Sequence, residues 1–438
     1  MAYDFNTALD VILAREDPED WFESGAVEIL AHFRGDLVTW GEIKARAKKR
    51  GVSAFDLEKA VDQWRVISTN GRGHEDLRTP VVDTFSEVEK MMIEWLWWPY
   101  LAKGTLAMLD GDPGIGKSLL TLHLAAALSR GFPLPDQQGV PTVPTGEPSN
   151  SLFLALEDSL GAVMKPRLEA SGADCARICV LQGWKDAENE AHLFTLADMD
   201  VLRQALDTYR PALVVIDPIQ AYLGARVNMN QANETRPLLT KLAQEAERSH
   251  CCIVCVRHAA KGSSESGIRA MMRGLGSIDF VGTARTALYI EQHPLNPTGG
   301  LLCQTKNNQD IIGRTQQFSK AEGRFQWAGI TRVDAETIAG SGRGPFPRAL
   351  LEACFHLEQL LSNGIPWSAE DIQYQLEQEG CKKDSIKHAK KVLGVKSRRI
   401  EAGTWEWQLP PLDLISIPTA IPSTHSSDSN HTTSTTNN

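Results

Sequence analysis

Eight consecutive residues, Gly111, Asp112, Pro113, Gly114, Ile115, Gly116, Lys117 and Ser118, carry the most specific chemistry of this chain. Their spacing, Gly-x-x-x-x-Gly-Lys-Ser, is that of a loop built to hold a polyphosphate. Glycine at 111, 114 and 116 lets the backbone wrap phosphates at torsions and distances that a side chain would block, so amide N–H groups point inward. The N-terminus of a following helix adds partial positive charge. Lys117 is expected to reach the β- and γ-phosphates of ATP, and the Ser118 hydroxyl to ligate Mg²⁺.

A carboxylate must complete the Mg²⁺ site, and Asp217, which ends the apolar run Leu213–Ile216, is the expected one. Pro218 follows it, so the Asp-Glu pairing of many ATPases is absent, and the base that orients the attacking water has to come from elsewhere. Glu157, at the end of Leu152–Leu156 with Asp158 beside it, is the nearest replacement. Both acids also admit plainer readings: Asp217 as a helix cap, Glu157 as an exposed strand-end charge.

These residues need strand ends to stand on. Thr105–Asp110 reads as a strand, and Ser118–Ser129 as a helix whose buried side holds Leu119, Leu120, Leu122, Leu124 and Ala127. Further strands are expected at Leu152–Leu156, Ala212–Asp217, Cys252–Val256, Ala287–Ile290 and Leu301–Thr305, with helical segments between them. That alternation implies an α/β fold with a mostly parallel sheet covered on both faces. Ligands then collect at the carboxyl ends of strands. The run Gly131–Pro148, rich in Pro and Gly, reads as a surface loop.

Flanking segments divide the chain. Residues 1–85 read as a small helical domain, with Val27, Leu30 and Phe33 on one face and Leu57, Ala60, Val61 and Trp64 on another, ending in a polar stretch Ser68–Arg78. The ATPase domain is expected over 86–338 and a linker at Gly340–Pro345. A third domain is expected over 345–412, with helical patterns at Leu350–Leu361, Ala369–Glu379 and Ser385–Leu393 and a strand at Trp405–Leu409. Three helices plus a strand pair resemble a winged helix. Lys382, Lys383, Lys387, Lys390, Lys391, Lys396, Arg398 and Arg399 concentrate charge around its third helix, which suggests DNA contact through Lys387 and Lys390. The tail 413–438, rich in Ser, Thr and Asn, has little to bury and is expected to be disordered.

Composition excludes several classes. At 438 residues the chain exceeds one typical core, and a net charge of −10 means that any nucleic-acid contact is local. The 8 cysteines follow no metal-ligand spacing, and Cys251, Cys252 and Cys255 lie in an apolar run, so no zinc site is expected. The start MAYDFNTALD has no signal-peptide pattern and no stretch is long enough to span a bilayer, so the cytoplasm is the default compartment and no membrane partner is expected.

Taken in order, GDPGIGKS, LFLALED, LVVIDPIQAYLG, VRHAAKG and RGLGSIDFVGTARTAL resemble the RecA-like ATPases related to the RepA-type hexameric replicative helicases of plasmids and phages. The resemblance covers about Trp97 to Phe325. It implies that Glu157 is the catalytic base, that His258 senses the γ-phosphate, and that Arg285 is an arginine finger reaching a neighbouring subunit's site. It implies a homo-oligomer, a hexamer in that family. Lys306 resembles the lysine of the Lys-x-Arg pair in DnaB-type helicases, with Asn308 in the arginine position, which leaves Arg285 as the better finger.

Two loops would face the axis of such a ring. Gly224–Thr235 offers Arg226, and Lys261–Gly274 offers Lys261, Arg269 and Arg273, cations suited to single-stranded DNA. The leading reading is an ATP-dependent DNA motor serving replication of a phage, plasmid or integrated element. The competing one is a DNA-bound ATP switch, a helicase loader, initiator or regulatory protein without unwinding activity. A P-loop small-molecule kinase explains neither the trans arginine nor the basic third domain.

Overall fold

The computed structural model describes residues 5–34, 36–71, 84–86, 88–224, 227–229, 231–258, 279–339, 348–400 and 403–412. The chain divides into two compact units, Met1–Met91 and Met92–Asn438. In the first, α1 (Phe5–Leu13), α2 (Ser24–His32), α3 (Leu37–Lys49) and α4 (Ala54–Gly71) enclose Trp21, Leu30, Ile43, Leu57 and Val61. Ser68, expected to open a polar separator, lies inside α4 instead. Buried Leu57 and Val61 anchor the helix upstream, and its regular backbone bonding carries it to Gly71.

The second unit is built on one nine-stranded sheet. In chain order its strands are β1 (Thr105–Gly111), β2 (Asn150–Ala155), β3 (Ile178–Val180), β4 (Pro211–Asp217), β5 (Cys252–His258), β6 (Thr286–Gln292), β7 (Gly299–Asn307), β8 (Thr315–Ser319) and β9 (Gln326–Thr331). Across the sheet the order is β9-β8-β7-β6-β1-β5-β4-β2-β3. From β3 to β6 every pair is parallel, and β7, β8 and β9 extend the sheet antiparallel.

Period two along β1 assigns the layers. Ala107 and Leu109 pack with Leu120, Leu124 and Leu128 of α5 (Lys117–Arg130), whereas Leu106 and Met108 face Leu202 and Leu206 of α7 (Met199–Tyr209) and Leu239 and Leu242 of α8 (Ala232–Arg248). The intervening helix, α6 (Lys165–Ala170), adds Leu168 to the α5 layer. Because both faces of these strands are covered, they read as continuous apolar runs and were legible from sequence.

The antiparallel strands were less so. β8, TQQFS, and β9, QWAGIT, alternate weakly and carry glutamines, one of which is tied inward: Gln316 Nε2 donates to Tyr100 Oη at 2.9 Å and to Asp136 O at 2.8 Å. The Gly131–Pro148 run likewise is more than a surface loop. It forms a short hairpin pairing Leu134–Pro135 with Pro141–Val143, and Gln137 at its turn is fully buried, donating to Tyr100 Oη and accepting from Arg314 N.

After α9 (Asp279–Thr283) and α10 (Ala335–Ala339), the chain builds a compact end around α11 (Arg348–Leu360), α12 (Ala369–Gln378) and α13 (Lys383–Val392), with a three-stranded sheet of β10 (Trp367–Ser368), β11 (Lys396–Arg399) and β12 (Trp405–Gln408) in the order β10-β12-β11. Its core, Leu351, Leu357, Ile372, Leu376, Ile386 and Trp407, is continuous with Leu301 and Cys303 of β7 and Ile338 of α10. Among the described residues, no helix is long and apolar enough to cross a membrane.

Candidate nucleotide site

The loop between β1 and α5 has the torsions its glycines allow. Gly114 and Gly116 sit at φ +74° and +113°, a region that side-chain-bearing residues rarely adopt. Gly111 is required by crowding: it stands opposite Ile290 of β6, and a Cβ there would lie 2.8 Å from Ile290 O. Lys117 opens α5 with only 5% of its surface exposed, and its Nζ donates to Gly111 O and Asp112 O, both at 2.8 Å. Burial pulls its pKa below that of an ordinary lysine, while Asp217, Asp112, Asp110 and Glu157 act in the opposite direction.

Parallel register brings the other candidates to the same edge. Asp217 ends β4, and desolvation raises its pKa against the hydrogen bond from Ser118 and the charge of Lys117. Glu157 lies just past β2, with its side chain 61% exposed and Oε2 3.7 Å from His258 Nε2. His258 ends β5 directly opposite Gly111, and its Nδ1 is buried with no partner. Ser118, Glu157, Asp158 and Asp217 line a small cavity of about 50 Å³ beside the loop.

These residues fit a magnesium nucleoside triphosphate. The Ser118 hydroxyl and the Asp217 carboxylate are two hard oxygen donors already in contact beside Lys117, and a glycine cradle and an unpartnered buried imidazole nitrogen face the same edge. Ser118 and Asp217 would hold the ion, which would neutralise phosphate charge there.

Sequence reading missed three features of the site. Arg257 and Asp110 form a buried bidentate pair, Nε to Oδ1 at 2.8 Å and Nη2 to Oδ2 at 2.7 Å, with the guanidinium 4.9 Å over the Phe280 ring. This pair clamps β5 to β1 one residue before His258 and Gly111, so it sets the register of both. Their 147-residue separation hid it, although an acid immediately before a P-loop was a visible cue. Asp158, beside the candidate base, is held by Arg167 at 3.3 Å. Lys320 reaches the loop from beyond β8, 3.3 Å from both Gly114 O and Ile115 O.

Other expected residues lie away from this edge. Arg285 is exposed just before β6, its backbone N–H donating to Leu106 O at 2.9 Å. Lys306 Nζ donates to Val281 O, Gly282 O and Ala284 O, so it caps the end of α9. On α13, Lys387 is exposed, whereas Lys390 donates to Ser397 Oγ and lies 4.5 Å over the Trp407 ring. Arg226, Lys261, Arg269 and Arg273, the linker at 340–345 and the tail 413–438 fall outside the described residues.

Residues 73–264 match the family described as AAA domain. That span holds the loop, Glu157, Asp217 and His258, and stops short of Arg285. The DNA repair protein RadA of Streptococcus pneumoniae is 26% identical over 170 residues, 38% of this chain and 33% of the relative. RadA of Bacillus subtilis is 25% identical over 173 residues, 39% of this chain and 31% of the relative. The chain thus spans about a third of the length of these curated relatives. Among solved structures, an ATPase domain aligns with a TM-score of 0.39 and 11% identity, over 51% of this chain and 84% of that one. A P-loop strand set inside a mostly parallel sheet, strand-end acids gathered at its phosphate edge and the AAA domain match over residues 73–264 mark the chain as a P-loop ATPase.

Proposed function

We propose that this ATPase is a DNA motor of the RepA-like replicative helicase kind, a ring of six copies that hydrolyses ATP at subunit interfaces and moves along single-stranded DNA. Arg285 carries this reading. It sits at the amino end of β6, level with Leu106, five residues from Gly111 along β1, or about 16 Å at the rise of a strand. That is farther than an arginine side chain spans, so Arg285 does not reach its own P-loop, which supports the reading that it serves a neighbour's phosphates.

In each site Lys117 and the loop amides bind the β- and γ-phosphates, Glu157 orients and deprotonates the attacking water, and His258, 3.7 Å from Glu157, reports the γ-phosphate to the segment that follows it. The neighbour's Arg285 neutralises charge on the transferring group. DNA as the track is supported by the curated relatives, DNA repair proteins by name, and by the exposed cations of α13 and β11.

The test is native mass with ATP and single-stranded DNA, alongside Arg285→Ala. Six-protomer assemblies are expected, and the variant should bind nucleotide normally while losing about 10³ to 10⁵ in turnover. A monomer with full turnover, or an unaffected variant, overturns the shared site. A forked duplex assay separates a motor from a DNA-bound ATP switch, which would hydrolyse ATP and displace no strand.

A further inference from the structure

We propose that Lys320 is a positioning residue for nucleotide binding, an ammonium set behind the P-loop that holds the loop's crest and strengthens the attraction of its amide N–H groups for phosphate. Lys320 comes from the turn after β8. Its Nζ lies 3.3 Å from Gly114 O and 3.3 Å from Ile115 O, a fork over two consecutive carbonyls. Those carbonyls belong to the peptide units whose other ends are the N–H groups of Ile115 and Gly116, the last two before Lys117.

A cation at the oxygen end of a peptide polarises the unit and makes its N–H end more positive, as aligned helix peptides do collectively. The ammonium therefore acts on the phosphate side of the loop without touching phosphate. Its stem is well anchored. Lys320 N donates to Thr298 O at 2.8 Å, and a Cβ on Gly116 would meet Phe318 Cε2 at 3.5 Å and Lys320 Cδ at 3.8 Å, so this stretch lies in close contact with the loop. Phe318 itself is buried and stacked on Phe325 at 4.8 Å, which fixes the platform from which Lys320 reaches. Burial also lowers the Lys320 pKa, the mark of a cation drawn out of water to make these contacts.

The assignment rests on nucleotide binding at the P-loop and not on the ring. Titration of a fluorescent ATP analogue and of ADP into wild type, Lys320→Met and Lys320→Arg tests it, together with kcat and melting temperature. Lys320→Met should weaken both nucleotides about tenfold and raise KM to match, with kcat within about twofold of wild type. Lys320→Arg, which keeps the charge, should recover affinity to within about threefold. Unchanged affinity in Lys320→Met overturns the proposal, as do equal losses in both variants with a lowered melting temperature, the signature of a mere brace. A wild type that binds no nucleotide would overturn the P-loop reading itself and this inference with it.

Discussion

Two groups of cations in this molecule are held in opposite ways. At the phosphate edge of the central strands, Lys117, Arg257 and Lys320 each have stated acceptors: backbone carbonyls for the lysines and Asp110 for the arginine. On α13 and β11, Lys387, Lys391, Lys396 and Arg399 are exposed, spread around a helix whose inner face is Ile386 and Ala389. The first group is preorganised in low dielectric for a compact, highly charged ligand. The second, on the proposed DNA reading, would meet a long polyanion, where many weak contacts add and salt competes.

Arg257→Met would press hardest on this contrast. It leaves Asp110 buried without its partner and should cost about 3 to 5 kcal/mol in chemical denaturation. A loss below about 1 kcal/mol, the range of surface pairs, would place the pair with the exposed cations instead.

Lys117→Ala should lower ATP turnover by about 10² to 10³ while the melting temperature holds. The same lysine predicts a pH limb. The protonated form binds phosphate, and burial lowers its pKa, so nucleotide affinity should fall at a pH below the ordinary lysine value of 10.5. Lys117→Arg, if it binds, should move that limb upward; a limb that stays put must come from another group, of which Lys320 is the nearest candidate.

Reversing Lys387 and Lys391 to Glu should leave ATP turnover alone and weaken DNA binding, flattening the slope of log affinity against log salt by about one for each phosphate no longer engaged. Unaltered binding would remove α13 as a DNA surface. The smallest effect is expected at Lys390→Ala. Because this lysine is engaged by Ser397 and Trp407, its removal should change DNA affinity little and stability by about 0.5 to 1 kcal/mol.

The phosphate edge was legible wherever chemistry and local pattern coincide. The glycine spacing demands positive φ before a helix, which puts Lys117 and Ser118 at the start of α5, and buried parallel strands are apolar runs whose last residues face the ligand edge, which puts Asp217, Glu157 and His258 at a strand end or just past one. Lys390 shows the limit. It stands in the basic run read as a DNA contact, and the run does not show that at helical spacing it falls on the side of α13 that meets β11 and β12.

By itself the sequence determined what is local: the P-loop, the acids after two apolar runs, the α/β alternation and the basic third helix, since torsional demand and periodicity act within a few residues. Tertiary structure alone decided which distant residues share an edge. Parallel pairing sets Arg257 beside Asp110 and His258 beside Gly111, the antiparallel extension carries Lys320 to the back of the loop, and Arg285 comes to rest at the strand end opposite its own phosphates. Register between strands is a property of the assembled sheet, summed over many side-chain contacts, and no short window of sequence contains it.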